Sequence, residues 1–339
     1  MTVVTDPNGE TSSRPEQKDD VDEKKTVVVA RSLLSAGTKP LRERYRVRGG
    51  GLDATRESLL EIVPGADALV ADPTVPVDGE LLDAAGPQLR VVANFAVGYD
   101  NVDLPACRAR EVIVTNTPEV LTEATAELAL GLTLAAGRRF ADAERDLRGG
   151  RWHGWDPGAY RGLELRGSTV GVVGLGRIGG RYAELVHALG AEVIYAGSTP
   201  RPQAEAALGA RRLELDELLE AADVVSLHAP ALATTRHMID ARRLALIGPA
   251  GVLVNTARGS LVDEAALATA LREGKLGAAG LDVYEDEPQV QEALLSAPRA
   301  VLLPHVGSAT TNSRDAMARL VAENVIAALE GGEPPSRVT

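Results

Sequence analysis

Aromatic side chains are scarce in this sequence: two Phe, two Trp and six Tyr make up 3% of 339 residues, so any core must be aliphatic. Cysteine is scarcer. The single Cys107 excludes an internal disulfide and any multi-cysteine metal site, and fits a reducing, cytoplasmic setting. It follows Pro105 and Ala106 in an expected short helix, where a packed, unreactive thiol is a better reading than a nucleophile. No apolar run reaches the ~18 residues needed to span a bilayer, and the N-terminus lacks a signal-peptide pattern. No pair of histidines has ligand spacing, so no metal is expected. Basic charge is in deficit: the net charge of −12 argues against nucleic acid and anionic membranes as partners.

What is present supports a sizeable core, with 45% hydrophobic residues, in a chain longer than one core usually serves. Residues 1–25 are polar and offer little to bury, so a disordered tail is expected. Strands are then expected at 26–30, 45–48, 68–71, 89–93 and 112–115, with helices at 56–62 and 79–85. This alternation predicts a small parallel α/β unit. One long helix is expected from Thr122 to about Asp146. A glycine-rich loop follows and holds both tryptophans, Trp152 and Trp155. Six further strands, at 169–173, 191–196, 223–227, 251–255, 277–283 and 300–303, predict a second doubly wound unit. A last helix at 312–330 lies beyond it and is placed back on the first.

The second unit is organised around STVGVVGLGRIGGRYAELVHALG, residues 168–190. An apolar strand runs into Gly174, Gly176 and Gly179, and Ile178, Tyr182, Leu185 and Leu189 then recur at helical spacing. In this strand–turn–helix setting GxGxxG is the dinucleotide fingerprint. The three glycines allow the tight turn, close backbone approach to a pyrophosphate, and close helix packing. The phosphate would rest on the helix N-terminus, over Arg177 and Ile178.

Ligands bind at the carboxyl ends of strands in such sheets. Three reactive residues closely follow expected strands there: Arg258 in VNTARGSLVDE, Glu287 in GLDVYEDEP and His305 in LLPHVGSAT. An arginine fork suits a carboxylate, and a histidine suits proton transfer near neutrality. Together with an acid they could bind an acidic carbonyl compound and protonate its oxygen. Separately, each could be a loop or packing residue.

The chain from about Val27 resembles the D-isomer-specific 2-hydroxyacid dehydrogenases. The resemblance is carried by VANFAVGYDNVD (92–103), TPEVLTEATAELAL (117–130), GLGRIG (174–179), VNTARGSLVDE (254–264), AAGLDVYEDEP (278–288) and LLPHVGSAT (302–310). The GGRWHGWDP loop and YAGSTPRP are most similar to the glyoxylate/hydroxypyruvate reductase branch. The resemblance implies a Rossmann-type coenzyme domain over 118–305. It also implies a smaller, flavodoxin-like substrate domain, discontinuous over 26–117 and 306–335. It further implies that His305 donates the proton, Glu287 holds it charged, and Arg258 binds the substrate carboxylate with the backbone of Val97 and Gly98. Asp282, Thr125 and Ala257 would lie near the cofactor, and Trp155 would reach a neighbouring subunit's pocket in a homodimer.

The position that selects NAD, an acid about 20 residues past the glycines, is here Gly197, followed by Ser198, Thr199, Pro200 and Arg201. With no carboxylate to repel a 2′-phosphate, NADPH is expected; NADH stays open, because Ser198 stands where NADP-preferring relatives often have arginine. The substrate expected is a small 2-oxo acid, glyoxylate or hydroxypyruvate. Alternatives are another D-2-hydroxy acid (D-3-phosphoglycerate, D-lactate or a bulkier one) and a nucleotide-sensing, corepressor-like binding protein.

Overall fold

The computed structural model describes residues 24–339. The expected tail lies outside them except for Lys24 and Lys25, and the Lys25 ammonium donates to the Leu329 carbonyl. The first half runs β1 (Thr26–Val29), α1 (Ser35–Arg44), β2 (Arg46–Gly49), α2 (Arg56–Ile62), β3 (Ala68–Ala71), α3 (Gly79–Ala85), β4 (Val91–Asn94), α4 (Leu104–Ala109) and β5 (Ile113–Thr115). Helices α5 (Thr122–Gly137) and α6 (Phe140–Arg148) lead into β6 (Thr169–Val173), α7 (Arg177–Ala188), β7 (Glu192–Ala196), α8 (Pro202–Leu208) and β8 (Arg211–Arg212). Then follow α9 (Leu215–Ala221), β9 (Val224–Leu227), α10 (Ala241–Ile247), β10 (Val252–Asn255), α11 (Glu264–Arg272), β11 (Ala278–Leu281), α12 (Glu292–Leu295), β12 (Ala300–Leu302) and α13 (Thr311–Glu330).

Strands β1, β3, β4, β9 and β10 are buried along their whole length. Such strands need helices on both faces, which parallel crossover connections supply. The first sheet has the flavodoxin-like order β2-β1-β3-β4-β5. The second runs β12-β11-β10-β9-β6-β7-β8, the doubly wound dinucleotide order extended by one strand. All the ladders in both sheets are parallel.

Two sequence expectations are corrected. The second sheet has seven strands rather than six, because the pair of exposed arginines in β8 carries no apolar signal and forms only by pairing with the edge of β7. The expected long helix is two. It breaks at Arg139, which adopts the left-handed φ of 56°, and the Gly137 carbonyl accepts from Leu163 N–H of the returning chain. Helix α1 forms between β1 and β2 despite Gly37 and Pro40. A Cβ on Gly37 would lie 2.5 Å from the Ala318 carbonyl, so glycine there is what lets α1 and α13 pack closely.

Helix α13 returns to the first sheet: Met317, Val321, Val325 and Leu329 share a core with Val27, Leu41, Val70 and Val91. The chain end follows it there, with Val338 N–H donating to the Val114 carbonyl at 2.7 Å. Cys107 is fully buried and burial pushes its thiol up to about 11, the state of a packing residue.

Candidate active site

The carboxyl ends of β4, β9, β10 and β11 open onto one cleft of about 1070 Å³ lined by both halves of the chain. Of the residues expected at the site, Val97, Gly98, Thr125, Ile178, Ala257, Arg258, Asp282, Glu287 and His305 line it. Trp155 does not. It is 85% exposed on the arm after α6.

The glycine turn fits a dinucleotide pyrophosphate. Gly174 has φ 95°, and a Cβ there would lie 2.8 Å from His228 and Ala229 backbone. A Cβ on Gly179 would sit 2.2 Å from the Gly174 carbonyl, so α7 can approach β6 only without one. Around Gly176, by contrast, the space is open. Gly176 is the N-cap of α7 with no side-chain cap and no acid in the first turn, which leaves the first N–H groups uncovered for an anion. Arg177 is exposed, with Nε 3.5 Å from Glu119. Ser198, Thr199 and Arg201 lie on the surface beyond β7.

His305 Nδ1 lies 2.7 Å from Glu287 Oε2. Both are half-buried, and Glu287 Oε1 accepts from Tyr284 N–H at 2.9 Å. Burial acts to raise the Glu287 carboxyl, but the hydrogen bond and charge of His305 outweigh it and hold it below the ordinary carboxylate value. The other ring nitrogen of His305 is left for the cleft. The backbone at His305 is in the left-handed region, φ 54°, which costs a non-glycine residue roughly 1–3 kcal/mol. Asp282 maintains it: its carboxylate accepts from Val306 and Gly307 N–H, both at 2.7 Å, and its carbonyl from His305 N–H. Asp282 is fully buried, and burial raises its carboxyl against the pull of those N–H groups. Thr125 Oγ1 donates to the Gly307 carbonyl at 3.2 Å, bracing the same turn.

Arg258 follows β10, and its backbone carbonyl is held by Asn255 Nδ2 at 2.8 Å. Its Nε donates to Asp100 Oδ1 at 2.9 Å and its Nη1 to the Ala257 carbonyl. Its Nη2 lies against Gly98, where an added Cβ would be only 1.6 Å away. The sequence reading missed Asp100. Its number places it in VANFAVGYDNVD, but only the fold brings it to a residue 158 positions away. His228 is also brought to the site by the fold. It lines the cleft with its Nε2 2.9 Å from Ser226 Oγ, and burial pushes its imidazole down to about 3, so it is neutral.

Among the described residues, no three His, Cys, Asp or Glu groups could hold a metal ion, and no helix is long and apolar enough to cross a membrane.

Residues 130–307 match the family model for the D-isomer specific 2-hydroxyacid dehydrogenase NAD binding domain. The chain is 44% identical over 321 residues to a glyoxylate reductase of Thermococcus onnurineus, covering 93% of this chain and 96% of that one. Among solved structures it is similar to a Thermus thermophilus protein at TM-score 0.87 and 43% identity, covering 93% of this chain and 100% of that one. It is also similar to an NADPH-dependent glyoxylate/hydroxypyruvate reductase of Sinorhizobium meliloti, solved with NADP and malonate, at TM-score 0.82 and 39% identity, covering 93% and 97%. The glycine turn, the cleft and these matches agree: the chain is an oxidoreductase with a nicotinamide cofactor and belongs to the D-isomer specific 2-hydroxyacid dehydrogenases.

Proposed function

We propose that this enzyme reduces a small 2-oxo acid, glyoxylate or hydroxypyruvate, to its D-2-hydroxy acid with NADPH. The observation that carries this reading is the His305–Glu287 pair at 2.7 Å opening onto the same cleft as the Arg258 guanidinium seated on Gly98. The nicotinamide, when bound, supplies a hydride to the carbonyl carbon. Arg258 binds the substrate carboxylate and polarises the carbonyl, and Asp100 orients its fork by taking Nε. The N–H groups of Val97 and Gly98 hold the same carboxylate. His305 gives a proton to the carbonyl oxygen as negative charge develops there, and Glu287 stabilises the charged ring beforehand. Solvent then returns the proton to His305.

Gly174, Gly176 and Gly179 with Arg177 and Ile178 receive the pyrophosphate, and Thr125, Ala257 and Asp282 border the nicotinamide end. The absence of a carboxylate at Gly197 favours NADPH over NADH, as do Ser198, Thr199 and Arg201. The names of the matched relatives support the substrate, and the Sinorhizobium complex supports the cofactor. A homodimer is part of the reading: Phe140, Leu147, Trp152 and Trp155 leave an apolar arm exposed that a second copy would cover. The single buried cysteine supports a cytoplasmic setting.

Initial rates with glyoxylate and hydroxypyruvate, each with NADPH and NADH, test this. Fast turnover with NADPH is expected. Absence of turnover with either acid, despite cofactor binding, would overturn the substrate; preference for NADH would overturn the cofactor.

A further inference from the structure

The loop after β7 offers a 2′-phosphate two hydroxyls, Ser198 and Thr199, but only one cation, Arg201, against a group carrying close to two negative charges. We propose that Arg212, on the edge strand β8, is the second cation of this site and a specificity-determining residue for NADPH. The proposal rests on the NADPH reading above and adds a residue that nothing in the sequence motif marks.

Arg212 is paired in register with Tyr195, and Arg211 with Ile194. Neighbouring residues in register point to the same face, and successive residues to opposite faces. Tyr195 and Ile194 do pack into different cores, so Arg212 shares the Tyr195 side and Arg211 the other. The Tyr195 side is where the loop closes: the Tyr195 hydroxyl accepts from Arg201 N–H at 2.8 Å and donates to Glu205. The Arg212 guanidinium reaches the same loop from β8. Its Nε and Nη2 donate to the Gly197 carbonyl at 3.1 and 2.8 Å, the residue at which an NAD-selective site would carry its acid. Its Nη1 has no partner among the described residues, and a guanidinium can serve a phosphate and a carbonyl at once.

The electrostatics agree. In a chain of net charge −12, Arg201 and Arg212 make no ion pair among the described residues. Elsewhere arginines share acids, as Arg242 and Arg243 share Asp216. Glu205, next to the loop, is occupied by Tyr195. Strand β8 adds nothing to a core, since both of its residues are exposed.

The test is Arg212→Gln and Arg201→Gln assayed with NADPH and NADH, with 2′,5′-ADP and 5′-AMP as binding probes. For R212Q the NADPH:NADH ratio of kcat/KM should fall about tenfold or more, one charged contact to phosphate, and binding of 2′,5′-ADP, read by calorimetry without substrate, should weaken in step while that of 5′-AMP does not. Equal loss with both cofactors would mean that Arg212 only shapes the Gly197 turn, which overturns the proposal. A ratio that collapses in R201Q but not in R212Q would also overturn it and leave the NADPH reading standing. A wild-type enzyme that prefers NADH would overturn both.

Discussion

His305 is a strained residue lining the cleft, and the proposed proton transfer rests on it. Its left-handed backbone aims the ring at Glu287, and three backbone N–H groups on Asp282 keep it there. His305→Ala should lower kcat/KM about 10²–10⁴-fold, the range for a positioned proton donor, with NADPH binding retained in a fluorescence titration. Glu287→Gln should lower kcat/KM with little change in cofactor binding, because the carboxylate that orients the His305 ring through Nδ1 is gone. The acid side of the pH profile follows from the depressed Glu287 carboxyl. Its pairing is fully present above the ordinary value for Glu, about 4.3, and is lost only as pH falls through the lower folded value. Motif spacing made His305, Glu287 and Arg258 legible in the sequence. Asp100 was not, because nothing local says that an arginine 158 residues away will need a partner for Nε.

At the scale of elements, the β6–α7 turn separates two jobs that the glycines share in sequence. Gly179→Ala brings a Cβ to 2.2 Å from the Gly174 carbonyl, which is backbone and cannot yield cheaply. This variant should lose about 1–3 kcal/mol of stability in urea unfolding, as overpacked cores do. Gly176→Ala meets nothing within 4 Å and should fold, with about 1 kcal/mol lost at the cap. Its KM for the cofactor should nonetheless rise, because the methyl group occupies the space through which a pyrophosphate approaches. Most strands of both sheets were legible as short apolar runs. The break between α5 and α6 was not, since it depends on the returning segment at Leu163 bonding to Gly137.

At the scale of the whole molecule, the described residues begin and end on the same sheet. Asn324 of α13 is fully buried and bonds both the Asn116 carbonyl at 3.3 Å and Ser336, tying helix, chain end and β5 together. Asn324→Ala leaves Ser336 N–H buried without its acceptor and should cost about 1–3 kcal/mol, read as a lower urea midpoint. Global stability should also fall in mild acid. His228 is neutral in the fold, with its imidazole pushed down to about 3 by burial, whereas the unfolded chain takes up a proton near its ordinary value, about 6.5. Stability from this group is therefore complete above that pH and declines below it, by at most about 1.4 kcal/mol per pH unit. The ring borders the cleft, so solvent reduces the slope below that bound. His228→Gln should flatten the dependence in urea titrations between pH 6.5 and 4.

The residues alone determined the class of this protein. Continuous apolar strands demand covered parallel sheets, the glycine spacing demands a close backbone approach, and an arginine, an acid and a histidine follow successive strands. All of these are local patterns, decided within a few residues. The tertiary structure decided which distant groups meet. It set Asp100 on Arg258, seated the Arg258 fork where a Gly98 side chain would be, and returned α13 to the first sheet. It also formed β8, two arginines without a pattern of their own, by lending them the edge of β7. Such pairings depend on how two sheets and their crossovers close in space, and chain-order patterns hold no record of that.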